Sequence, residues 1–245
     1  MEKMYIERDI SWLAFNYRVL QEAKDKSQPL LERIRFLAIF SSNMDEFFRV
    51  RVASHQNVLR VGKKAKKELG YDPKGILREV KSIVKKYLLE FSRIFEDQII
   101  PELTKNGINL RRRMEISPEQ RVFLEDYFQN YLLPFVQPVL LVKDKIRPFL
   151  VNGEIYLAIR LQPKTRPTLE EYAILKIPSD HLPRFIILPS DNPGDHDIIM
   201  LDDLVRQSAA WFFPGYNIID AYSIKLTRDA ELYIDDEYTG DLIQK

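Results

Sequence analysis

No cysteine occurs among these 245 residues, which excludes disulfide staples, thiolate metal sites and a cysteine nucleophile and suits a reducing cytoplasm. Histidine is scarce, at three, and no HExxH pair offers a zinc site on a helix. The eight glycines are scattered. None builds G-x-x-x-x-G-K or G-x-G-x-x-G, so there is no glycine-rich phosphate loop, and no G-x-S-x-G elbow presents a serine. No apolar run approaches the ~18 residues that span a bilayer. The opening MEKMYIERDISWL carries acidic residues and no apolar stretch of a secretory signal. What remains is a chain 45% hydrophobic and 11% aromatic, rich enough for a packed core of one large domain or two modest ones.

Charge divides the chain. Residues 1–113 hold 24 Lys and Arg against 15 Asp and Glu, whereas residues 114–245 hold 13 against 21. A polyanion would meet the first part; a solvated basic face is the plainer reading.

The first part reads as helix. Ser11 can cap a helix that carries Trp12, Phe15, Val19 and Ala23 on one face. Pro29 suits the first turn of a second helix, with Leu30, Ile34, Leu37 and Ala38 inward. Ser41-Ser42-Asn43 then predicts a break, and a third helix from Met44 would turn Phe47 and Phe48 inward. Lys63, Lys64, Lys66 and Lys67 fall between glycines, as in a basic linker. Asp72-Pro73 opens the clearest helix, seamed by Leu77, Val80, Val84, Tyr87, Phe91 and Ile94, with Pro101 and Gly107 marking its end. Ser117-Pro118-Glu119-Gln120 is a capping box.

After Pro134 the period becomes two. Ile155, Leu157, Ile159 and Leu161 form one face of a strand. Strand-like runs follow at 172–177, 184–188 and 197–201. A helix capped by Asp202 or Asp203 then runs to Phe213, and a last strand covers 217–226. The expected fold is α+β: an all-helical domain over residues 1–110 and an α+β domain over 111–245, joined between Gly107 and Ser117.

His55, His181 and His196 fall in different elements. His196 between Asp195 and Asp197 has metal-ligand residue types, but a turn between strands more often solvates them, so no metal site is assigned. The segment RIRFLAIFSSNMDEFFRVR sets Asn43 among aromatics and arginines. Its amide could meet a purine edge, or it could cap the third helix. On residues alone the cap is the simpler reading.

YIERDISWLAFNYRVLQEA, then PLLERIRFL, then SSNMDEFFRVR resemble, in order, the opening blocks of the bacterial, histidine-dependent polyphosphate kinase family. The likeness continues through Ile177-Pro178-Ser179-Asp180, Pro183-Arg184-Phe185, and Ala221-Tyr222-Ser223 to Thr227-Arg228-Asp229-Ala230-Glu231. It implies a helical N-terminal domain on the adenine side of an ATP site and an α+β head domain that supplies homo-oligomer contacts. It implies ATP/ADP and polyphosphate as ligands, Mg2+ in the full-length enzyme, and a cytoplasmic phosphoprotein with or without peripheral attachment to the inner membrane. No histidine here matches the family's phosphorylated histidine, so no catalytic residue is assigned. The asparagine before the [LM]-DEF motif contacts ATP in the family, and that position is Asn43. Phe36, Ser42 and Phe47 are further candidates for the base pocket, whereas Asp45 and Glu46 would repel phosphates and read as structural. The alternative is a non-enzymatic polyanion- or RNA-binding module; no nucleic-acid motif supports it, so nucleic acid is not an expected partner.

Overall fold

The computed structural model describes residues 6–61, 72–112, 115–141, 150–190 and 192–228. Lys63, Lys64, Lys66 and Lys67, together with Asp229-Ala230-Glu231, lie outside them. Two compact units emerge, one from the described residues of Met1–Phe95 and Thr227–Lys245 and one from those of Glu96–Leu226. The first is helical and the second α+β, the class read from the sequence.

In the first unit α1 covers Arg8–Lys24, α2 Leu30–Phe47, α3 Ala53–Val61 and α4 Pro73–Ile94, with a π-helical turn at Phe48–Val52. Ser11 is not the cap of α1. Glu7 is, its carboxylate accepting the N–H groups of Asp9 at 2.8 Å and Ile10 at 3.0 Å. The inward face also differs from the expected one. Leu13, Asn16, Leu20 and Ala23 are buried, and Phe15 is 59% exposed.

Nor does α2 break at Ser41-Ser42-Asn43. Arg33, Leu37, Phe40, Met44 and Phe47 carry one buried stripe straight through that tripeptide, and burial of the stripe outweighs the weak local preference of Ser and Asn for turns. The irregularity falls instead at the π-turn, where Phe48 faces outward. Arg33 is 1% exposed and donates Nε–H to the Ala23 carbonyl at 2.9 Å, satisfying an acceptor that the end of α1 would otherwise orphan. Tyr17 stacks on Tyr87 of α4 at 4.6 Å and donates to Glu90, which also pairs with Lys24 at 3.0 Å. The α4 seam is as expected at Leu77, Val80, Val84 and Ile94, with Tyr87 and Phe91 half-buried.

A π-turn at Phe95–Ile99 leads into α5 (Ile100–Lys105), the first α-helix of the second unit. Pro101 therefore sits in a first helical turn, where its missing N–H costs little. Gly107 ends α5 at φ 73°, and a Cβ there would meet Asp195 Oδ1 at 3.0 Å. Next come β1 (Ile108–Arg111), α6 (Pro118–Tyr127), β2 (Pro138–Leu141), β3 (Ile155–Pro163), β4 (Glu171–Lys176), β5 (Phe185–Leu188) and β6 (His196–Met200). The unit closes with α7 (Leu201–Gln207), α8 (Ala209–Phe212) and β7 (Tyr216–Lys225).

The strands form a three-stranded sheet ordered β1-β6-β5, with β1 parallel to β6, and an antiparallel sheet ordered β2-β4-β3-β7. Leu157, Ile159 and Leu161 of β3 pack with Leu124, Leu175, Ile199 and Leu204 in one core. Asp202 and Asp203 do not cap α7. Met200 holds that position without a side-chain bond, and both acids lie in the first turn, where a negative charge is favoured by the helix dipole.

The capping box at Ser117 and Gln120 forms as expected, and Gln120 does more. Its Nε2 donates to the Pro189 carbonyl at 2.8 Å and to Asp197 Oδ2 at 2.7 Å. Asp197 also accepts from Asn109 at 2.8 Å and pairs with Arg111 at 3.0 Å. One buried carboxylate thereby fastens the parallel β1–β6 pair to the start of α6. Burial pushes the Asp197 carboxyl upward, but the bonds from Asn109, Arg111 and Gln120 and the Arg111 charge outweigh it and hold it below its ordinary value. Its stabilising contribution is therefore whole above the unfolded value near ~4 and is lost as pH falls through the folded one. Asp197→Asn should destabilise by about 1.5–3 kcal/mol at neutral pH, the worth of hydrogen bonds to a charged group. In urea unfolding across pH, the gap to wild type should close as pH drops below about 4; a gap that stays constant would contradict this role.

Candidate functional site

Asn43 lies inside α2, half-buried, and caps nothing. It faces α1. Its Nδ2 donates to Asn16 Oδ1 at 2.9 Å, and Asn16 Nδ2 donates in turn to the Phe40 carbonyl at 3.3 Å. Four positions along each helix, Trp12 of α1 stacks on Phe47 of α2 with ring centroids 4.8 Å apart and planes 13° from parallel. An amide pair and an aromatic pair thus sit one turn apart between the two helices.

The remaining sequence candidates separate. Phe47 is buried in its stack with Trp12 and is not open to sandwich a base. Phe36 is half-buried two turns before Asn43, and Ser42 is exposed beside it. Glu46 pairs with Arg49 at 2.7 Å across one turn, as a structural residue would. Asn16 was not singled out from the sequence. The signal was a polar residue in register with Leu13 and Leu20, hidden by reading Phe15 and Val19 as the inward face.

The histidines do not converge. His196 is exposed on β6 while Asp197 points to the opposite, buried side, and Asp195 accepts from Asn192 at 3.2 Å; these three do not form a metal site. His181 stacks on Phe135 at 4.7 Å. His55 is buried, its Nε2 2.7 Å from Asp9 Oδ2. Among the described residues, Glu7, Asp9 and His55 are the one group whose potential ligand atoms lie close together, within 4.8 Å. Magnesium does not fit there. It requires near-octahedral oxygen ligands and usually keeps several waters, whereas this group includes an imidazole and its Glu7 carboxylate is occupied as a helix cap.

In the second unit a hollow of about 350 Å³ opens between Arg121, Leu124, Phe128, Leu204 and Trp211. None of the sequence-predicted site residues lines it. Among the described residues, no helix is long and apolar enough to cross a membrane.

Two family models match in sequence order: the polyphosphate kinase N-terminal domain over residues 5–111 and the polyphosphate kinase middle domain over 119–245. The chain belongs to the polyphosphate kinase family. Polyphosphate kinases of Halalkalibacterium halodurans and Escherichia coli K12 are each 38% identical to it, over 244 and 250 residues. These alignments cover 98% and 99% of this chain and 34% and 35% of the relatives. A crystal structure of polyphosphate kinase from Porphyromonas gingivalis superposes with a TM-score of 0.85 at 39% identity, over 96% of this chain and 34% of that one. The chain therefore spans about a third of the length of the polyphosphate kinases it matches.

The geometry of Asn43 predicts an order of stability. At a helix cap aspartate would substitute well and alanine poorly. Inside α2, alanine gains helix propensity but leaves the buried Asn16 oxygen without its donor, so Asn43→Ala should cost about 1–3 kcal/mol. Asn43→Asp sets a carboxylate against the Asn16 oxygen and should be the less stable of the two in urea unfolding. The reverse order would restore the cap.

Proposed function

We propose that this chain is the adenine-binding and oligomer-forming portion of an enzyme that reversibly transfers the terminal phosphate of ATP to polyphosphate through a phosphohistidine. Residues 1–110 serve as the N-terminal domain on the adenine side of the ATP site, and 111–245 as the head domain that supplies homo-oligomer contacts. ATP and ADP, polyphosphate and Mg2+ are the ligands of the complete enzyme, which acts in the cytoplasm, free or peripheral to the inner membrane. The phosphate-transferring histidine and the magnesium-binding groups belong to parts of the enzyme outside these residues.

The observation that carries this reading is Asn43 in its SSN-MDEF setting. The hydrogen bond to Asn16 uses one amide hydrogen and leaves Oδ1 and the second N–H for a ligand. An acceptor beside a donor is the pattern that adenine complements, with an amino group next to a ring nitrogen. Asn43 contributes binding and orientation, not chemistry.

A polyanion-binding role has one observation in its favour. Lys74, Arg78, Lys81 and Lys85 are exposed at spacings of four, three and four along α4, a single basic stripe. Polyphosphate is itself a polyanion, so the stripe suits the enzyme reading as well as a separate module.

Two results are expected. With labelled ATP and magnesium, the chain alone should acquire no stable label on His55, His181 or His196 and form no polymer; either product would contradict the placement of the nucleophile elsewhere. In the full-length enzyme, Asn43→Ala should raise the KM for ATP several-fold, the effect of losing a net ~0.5–1.5 kcal/mol, with a small change in kcat. An unchanged KM would remove Asn43 from the nucleotide site.

A further inference from the structure

Asn16 is 0% exposed between Leu13 and Leu20 on the inward face of α1. A buried amide left unpaired is costly, so its bonds are obligatory. Their direction is set by one atom. The Phe40 carbonyl can only accept, so Asn16 must turn Nδ2 toward it and Oδ1 toward α2. Facing an oxygen, Asn43 must in turn present Nδ2. A backbone carbonyl thus fixes the rotation of two amides in series, which an isolated asparagine would leave free to flip.

We infer that Asn16 is a positioning residue, which locks the Asn43 amide so that the nucleotide site prefers adenine over guanine. This rests on the reading of Asn43 as a nucleotide contact. Adenine offers an amino donor beside the N7 acceptor, while guanine offers two acceptors, O6 and N7, on the same edge. An amide free to rotate could exchange its ends to suit other base edges. One held at Nδ2 by Asn16 keeps its oxygen and its remaining N–H where Asn16 puts them.

The test uses the full-length enzyme and a double-mutant cycle. Asn16→Ala should raise the KM for ATP about three- to tenfold, leave kcat within about twofold, and shrink the ATP-over-GTP ratio of kcat/KM by a similar factor. In the Asn43→Ala background the same substitution should add less than about twofold, since its partner is already gone. Asn16→Leu comes close to the side-chain volume but offers the Asn43 Nδ2–H no acceptor. It should reproduce the KM and selectivity effects, and it serves if the alanine variant does not fold. Thermal unfolding of each variant separates a lost fold from a lost orientation.

Equal factors in both backgrounds, or a fall in kcat alone, would overturn the inference. A raised KM for Asn43→Ala with an unaffected Asn16 variant would overturn it while leaving the nucleotide reading in place. An unchanged KM for Asn43→Ala would overturn both.

Discussion

A fully buried amide in a helical core must find partners, and the way Asn16 finds them organises the first unit. Its bond to the Phe40 carbonyl reaches the backbone of α2, and its bond from Asn43 reaches a side chain one turn further along. Such directional bonds specify one register between two helices more sharply than apolar contact alone. The Trp12–Phe47 stack and the buried Arg33, bonded to the Ala23 carbonyl, support the same pairing of α1 with α2 near both its ends. Asn43 is thereby placed by packing rather than by a loop, the kind of support that holds a binding group in position.

The second unit applies the same logic to a charge. Asp197 gathers Asn109, Arg111 and Gln120 from β1 and the start of α6 around one carboxylate on β6. A lone parallel pair such as β1–β6 has no hairpin to fix it, and these bonds supply its register. Gln120 takes part in both the capping box and this cluster. The local signal that starts α6 is therefore also the contact that joins it to the sheet.

What the sequence revealed follows from the length and regularity of each pattern. The α4 seam, the capping box at Ser117 and the alternation in β3 are repeated or specific, and they stand where expected. The four-residue strands β1 and β2 show no alternation of burial, unlike β5 of the same length, and β2 begins at Pro138, a residue tolerated in a strand only at an edge or at its first position. At Ser41-Ser42-Asn43 the local chemistry of three cap-forming residues suggested a break. The stripe from Arg33 to Phe47 overrode it, because a continuous buried face stabilises a helix more than local propensity opposes it. The family blocks pointed to Asn43, but its partner was invisible: Asn16 looks like any polar helix residue until the inward face of α1 is known.

The central claim is that α1 and α2 present an oriented amide to the adenine of ATP. It is tested most directly by a structure of the full-length enzyme with a non-hydrolysable ATP analogue. The account predicts the Asn43 amide within about 3.2 Å of a ring or amino nitrogen of adenine, with its bond to Asn16 intact. An adenine bound elsewhere, with Asn43 facing only water or protein, would contradict it.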